Sequence, residues 1–145
     1  MRSARDDDGT ALVEFVVVAV LLMVPLVHVV LAVAAVQRTS FAASTAVREA
    51  ARAFVTSDSP AAGRTRARAA ARLALADHGL TLPAGALAVT CLDDPCLAPG
   101  GRVSVGLRMA VPLPGLAALL DGAVPAQVPV SAVHEEVVDV YRGSS

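Results

Sequence analysis

Glu14 is the one carboxylate within a long apolar stretch of this chain, and it lies five residues after Gly9. The apolar run that follows continues almost unbroken to Val36. A carboxylate costs about 2.5 to 3.5 kcal/mol at the centre of a membrane-spanning helix and less near its end, so it needs a neutralising partner or a shallow depth. The chemistry that Glu14 offers is therefore charge pairing between helices.

A second group of ionisable residues consists of types that can bind a metal ion, but their spacing does not place them on one side of a strand. In a strand, alternate residues point to opposite faces, so His134 and Glu136 share one side while Glu135 and Asp139 take the other. The sequence also contains no Gly-rich phosphate loop and no nucleophile elbow. We therefore expect a protein that is not an enzyme, with no metal and no cofactor.

The chain has only two cysteines, Cys91 and Cys96, and the turn-forming segment 92–95 separates them. This spacer can bring the two sulfurs together in an oxidising compartment, which predicts a disulfide and a C-terminal domain outside the cytoplasm. The alternative is a pair of reduced thiols in a cytosolic domain. A four-ligand zinc site would need a second cysteine pair.

Arginine supplies all twelve basic residues, and residues 37–80 hold seven of them against three acids, whereas residues 81–145 hold three against six. Arg64, Arg68 and Arg72 share one helix face. Because no aromatic residue stands between them for base stacking, we expect a solvated face and no nucleic acid. The charge gradient would suit packing between like subunits or attraction to the headgroups of membrane lipid.

Residues 15–36 form an apolar run of 22 residues, which reaches roughly 33 Å as a helix and matches the hydrocarbon core of a bilayer. We predict a transmembrane helix over residues 10–36, kinked at Pro25. His28 is expected to be neutral and turned toward a neighbouring helix. A signal peptide cut after Ala34 is the alternative, but the run is longer than a signal h-region. Arginine counts on the two sides of the span do not decide its orientation.

Beyond the span, apolar residues recur at helical intervals, so we predict a helix extension over residues 37–56 and a head domain over residues 57–145. The predicted packing face of this extension consists of Phe41, Thr45, Val47, Ala51, Phe54 and Val55. Ser59 and Pro60 predict the start of a second helix that reaches residue 78, with Gly79 as its C-cap and a weak point at Gly63.

Past Gly79 the apolar residues follow a period of two, which predicts strands over residues 86–92, 103–111 and 128–141, with a short helix or turn over residues 114–121 closed by Gly122. The predicted fold class is α+β. A long N-terminal helix continues into a small head that has a second helix and a short three-stranded sheet, which we expect to be antiparallel.

Residues 9–15 read Gly-Thr-Ala-Leu-Val-Glu-Phe and are followed by hydrophobic residues and Pro25. This opening resembles the prepilin class and, within it, the TadE-like minor pseudopilins of tight-adherence (Flp-type) pilus systems. Residues 47–52 are similar to the helix continuation of that family. The resemblance implies that residues 1–9 are a leader, that a prepilin peptidase cuts between Gly9 and Thr10, and that Glu14 is the glutamate at mature position five.

The resemblance further implies a bacterial, single-pass protein of the cell membrane that acts in pilus assembly or export. Its N-terminus would be cytoplasmic before processing and its head extracytoplasmic, or extracellular within a pilus. Its partners would be other pilin or pseudopilin subunits, bound through the N-terminal helix. Two alternatives remain open from the residues themselves: an anchored extracytoplasmic binding or sensor module that is not processed, and a secreted domain released after Ala34.

Overall fold

The computed structural model describes residues 7–113 and 127–141, with side chains from residue 11 onward in the first helix. Its elements, in chain order, are α1 (Asp7–Val55), α2 (Pro60–Ala76), β1 (Leu87–Cys91), β2 (Arg102–Pro112) and β3 (Gln127–Val137). The predicted α+β fold is confirmed. The predicted helix or turn over residues 114–121 and Gly122 lies outside the described residues.

Residues up to Ala34 of α1 belong to one compact unit, and a second unit begins at Ala35 and holds α2 and the sheet. In the first unit the helix exposes apolar side chains on all sides, and none of its most apolar window is buried. It is the one helix among the described residues that is long and apolar enough to cross a membrane. Such a surface is stable only against lipid or another apolar partner.

In the second unit, α1 and α2 form a helical hairpin joined by residues 56–59. The Ser57 hydroxyl donates to the Ala53 carbonyl at 2.7 Å, which ends α1. The Ser59 hydroxyl accepts the Ala62 N–H at 3.3 Å and caps α2, with Pro60 in its first turn, as predicted. Past the last helical residue, Ala76, Gly79 adopts a positive φ of 68° and the Leu80 N–H donates to the Leu75 carbonyl at 2.9 Å.

The packing face of α1 differs from the predicted one. Phe41 and Thr45 are solvent-exposed, Phe41 by 71% of its surface. The prediction was wrong at these positions because most of the buried side chains of α1 are alanines, which carry a weak hydrophobic signal. The buried residues of α1 are Thr39, Ala42, Ala43, Ala46, Val47, Ala50, Ala51, Phe54 and Val55.

Gly63 lies at the tightest point of the hairpin. A Cβ atom built on Gly63 would stand 2.8 Å from Cδ2 and 3.2 Å from the backbone oxygen of Phe54. Phe54 is fully buried and is the largest side chain of the core, so neither group can move away freely. The glycine predicted as a weak point of α2 is therefore the residue that lets α2 approach α1.

The sheet is antiparallel with the strand order β1-β2-β3. Opposite Val105 lie Val89 on β1 and His134 on β3, so these three residues share the inner face of the sheet. Val103, Val105 and Leu107 are completely buried on this face and join the helices in one hydrophobic core. The predicted alternation is confirmed, although β3 ends at Val137 rather than at residue 141.

We predict that Gly63→Ala destabilises the hairpin, although alanine favours helix by about 1 kcal/mol at an exposed site. The added methyl group overpacks against Phe54, which should lower the free energy of opening of α2 by about 1 to 3 kcal/mol. Amide hydrogen exchange of α2 peptides in the detergent-solubilised full chain measures this change.

Gly106→Ala is the matched control, because a Cβ there would stand 3.9 Å from Cγ2 of Val133 in ordinary contact. It should change opening by less than about 0.5 kcal/mol. Unchanged or slower exchange of α2 in Gly63→Ala would contradict the close-approach role.

Candidate functional site

Glu14 projects from an apolar helix surface and has no oppositely charged partner among the described side chains. Its neighbours Val13 and Phe15 are exposed by 61% and 71%. Within residues 11–113 and 127–141, Glu14 has no ion pair and no hydrogen bond. Gly9 and Thr10 lie in the first turn of α1, and the Thr10 side chain is outside the described ones. The described part of the chain therefore supplies no counter-charge for the Glu14 carboxylate.

Pro25 and His28 form a second polar feature of the same surface. Pro25 lies inside the continuous helix and has no N–H to donate to the Leu21 carbonyl. His28 Nδ1 stands 2.7 Å from the Val24 carbonyl oxygen, and since a carbonyl only accepts, Nδ1 carries the proton. The imidazole therefore bonds to its own helix, rather than reaching the neighbouring helix through Nδ1, while Nε2 is left for a partner. The predicted kink itself stays a prediction.

The predicted disulfide between Cys91 and Cys96 is confirmed, and it closes the turn after β1. Inside this turn, Asp93 Oδ2 accepts the backbone N–H of Arg102 at 2.8 Å and its Nε–H at 3.3 Å. The hydrogen bond from the Arg102 backbone, followed by the one from its side chain, lowers the pKa of Asp93 below its ordinary value of 3.8. The disulfide turn is thereby tied to the first residue of β2.

His134 and Glu136 share one side of β3, as predicted, and their Nε2 and Oε2 atoms are 3.0 Å apart. Both side chains are about one-third exposed. No group of three or more metal-ligating side chains occurs in the parts of the chain that are described. The pair therefore acts as a local contact on the strand.

Arg64, Arg68 and Arg72 are exposed on α2, together with Arg66. None of the four takes part in an ion pair with any described side chain. Helix α2 has no acidic residue at all, so its exposed surface is purely cationic among charged groups.

Two features of these sites were not predicted from the sequence. The contact between Asp93 and Arg102 joins residues nine positions apart, and only the pairing of β1 with β2 brings them together. The exposure of Phe41 on the helix extension was also missed, because its spacing fitted an apolar face. The positions of the alanines along α1 would have indicated the face that is buried.

Comparisons of this chain with protein-family models, curated proteins and solved structures give no match. The resemblance to TadE-like pseudopilins therefore rests on the residues of the N-terminal segment.

We predict that Asp93→Asn lowers the melting temperature of the head at neutral pH. Because the folded pKa of Asp93 is depressed, its stabilisation is present above the ordinary value of 3.8 and is lost as the pH falls through the lower, folded value. The difference between wild type and variant should shrink toward pH 3 in scanning calorimetry of the full chain in detergent.

Asp94→Asn provides the matched control, since the Asp94 side chain makes no ion pair with any other described side chain. It should melt like the wild type between pH 3 and pH 7. A difference for Asp93→Asn that stays constant with pH would argue against the carboxylate as its origin.

Proposed function

We propose that this protein is a pseudopilin-like, membrane-anchored subunit that acts in assembly or export of a tight-adherence (Flp-type) pilus. The observation that carries the proposal is Glu14: an exposed carboxylate without a partner in the described chain, on an apolar helix of membrane length, five residues after Gly9. A carboxylate on a membrane-spanning helix is costly unless it is paired, so it favours a subunit whose helix gains its partner on assembly.

Cleavage after Gly9 would create a chemical partner for Glu14, which has none among the described residues. The peptidase would free the amine of Thr10, and this amine would neutralise Glu14 of a neighbouring subunit. Cleavage would also make Thr10 the start of the helix, so Glu14 would stand close to its N-terminus, where the helix dipole favours a negative charge. Cleavage would thus stabilise the ionised Glu14 carboxylate at the same time as it prepares the subunit for assembly.

The proposed location is the bacterial cell membrane, with a single span and an extracytoplasmic head. The disulfide between Cys91 and Cys96 supports this side for the head, because disulfides persist in oxidising compartments. The length and apolar surface of α1 support the span. The partners would be sister pilin or pseudopilin subunits, the prepilin peptidase and membrane lipid.

We predict that Glu14→Gln abolishes co-assembly while leaving the head folded. Removing one member of a desolvated ion pair costs about 3 to 5 kcal/mol, which is a loss of roughly two orders of magnitude or more in association. The measurement is the amount of sister subunit that co-purifies with the epitope-tagged chain from membranes of its own bacterium.

Glu49→Gln on the same helix is the control, since Glu49 is exposed and follows the apolar run. It should co-purify like the wild type, and calorimetry should give both variants the melting temperature of the wild-type head. Equal co-purification of Glu14→Gln and Glu49→Gln would remove Glu14 from the assembly contact.

A further inference from the structure

Three groups on the membrane-length part of α1 are able to accept a hydrogen bond from a neighbouring helix. The Glu14 carboxylate has no described partner. The Leu21 carbonyl lacks the N–H that usually bonds it in an α-helix, because that position is Pro25. An imidazolium is costly in hydrocarbon, so His28 is neutral. Its Nδ1–H already donates to the Val24 carbonyl at 2.7 Å, which makes Nε2 an acceptor.

The three accepting residues follow one another at intervals of seven. Seven residues return to the same side of an α-helix within about 20° and rise by about 10.5 Å. Glu14, Leu21 and His28 therefore lie along one side of α1, and Pro25 lies on that side as well. Leu21 is 70% exposed, so no described residue covers this side. A repeat of seven is also the spacing at which two helices pack along a left-handed seam. These positions form the acceptor face of α1.

The span has no side chain of its own that could donate to the acceptor face. Residues 11–34 contain no Ser, Thr, Asn, Gln, Lys, Arg, Tyr or Trp. In a membrane helix, a carbonyl freed by proline is bonded by a Ser or Thr, by water or by a neighbouring helix, since lipid tails have no donors. Polar side chains of spanning helices face other helices for the same reason. The acceptor face therefore favours a neighbouring helix that brings donors.

A second copy of this chain does not bring the donors that this face lacks. Two parallel copies in register set acceptors against acceptors at all three levels. An offset of four residues sets the Thr10 amine of a processed copy beside Glu14, but the other two acceptors then face Val17 and Val24. Setting Glu14 beside His28 needs an offset of fourteen residues, about 21 Å of a hydrocarbon core of about 30 Å. The partner that fits therefore differs from this chain.

We propose that the acceptor face of α1 binds the membrane helix of a different subunit, which carries hydroxyl or amide donors at intervals of seven residues. The inference deepens the proposed function and rests on its membrane span, but it does not depend on leader cleavage. A freed N-terminal amine of the partner would serve the Glu14 level. Side-chain donors of the partner bond the Leu21 carbonyl and Nε2 of His28. Assembly through this face thus joins unlike subunits.

Resonance energy transfer in phosphatidylcholine vesicles tests this contact. The full chain, with a fluorophore at its C-terminus, is reconstituted with a labelled leucine-rich spanning peptide that has serines at three positions seven residues apart. The comparison peptide has valines at these positions. Because the serines are symmetric about the middle of the peptide, both orientations present the same levels. The serine peptide should bind about threefold or more tightly than the valine peptide, since it alone forms interhelical hydrogen bonds.

Variants of the full chain locate the contact on the helix. His28→Leu removes the Nε2 acceptor, and Pro25→Ala returns an N–H to the Leu21 carbonyl. Each should weaken binding of the serine peptide about threefold and leave binding of the valine peptide unchanged. Met23→Leu is the matched control, because Met23 is 60% exposed and lies about 180° around the helix from Glu14. It should bind the serine peptide like the wild type.

Equal binding of the two peptides would overturn the proposal, and so would an equal loss in Met23→Leu and His28→Leu. Energy transfer between two labelled copies of the chain that falls in His28→Leu would overturn it as well, because the face would then bind its own kind. The proposed function fails separately. A native chain that begins at Met1 would contradict the pseudopilin role and leave the helix contact standing, whereas a processed chain that binds both peptides equally would contradict only the contact.

Discussion

One segment of helix α1 is apolar on every side, and the next segment is buried on one face only. This difference determines which part of the helix builds the head. Up to Ala34 its apolar side chains face outward on every side, so that segment requires lipid or other helices around it. From Thr39 onward only one face is buried, and that face builds the head. Glu14 is the exception in the first segment, and in the proposed function its pairing with a neighbouring subunit makes this helix an assembly element as well as an anchor.

The head owes its compactness to small side chains rather than to large ones. Buried alanines of α1 and α2 form much of the core, Gly63 lets α2 approach Phe54 of α1, and valines of β2 complete the core. The disulfide and the bond from Arg102 to Asp93 hold the turn between β1 and β2. This arrangement covers one sheet face only and leaves the other face, with Val133 and Val137, available for contact.

Local signals in the sequence predicted most of the fold. Ser59 before Pro60, the alternation from Val103 to Val111 and the spacer between the cysteines act within a few residues, so they could be interpreted without the structure. The packing face of α1 could not, because alanine carries little hydrophobic signal and Phe41 obscured the pattern. The partners of Asp93 and Gly63 depended on strand pairing and on hairpin geometry. Glu14 was found from the sequence because an isolated acid in an apolar run is conspicuous.

N-terminal sequencing of the protein extracted from membranes of its source organism tests the pseudopilin proposal most directly. Processing by a prepilin peptidase predicts that the chain begins at Thr10, with Glu14 as its fifth residue. A chain that still begins at Met1, in cells that process their other prepilins, would contradict the proposal. A chain that begins at Ala35 would mean that the apolar helix is a signal sequence and that the head is secreted.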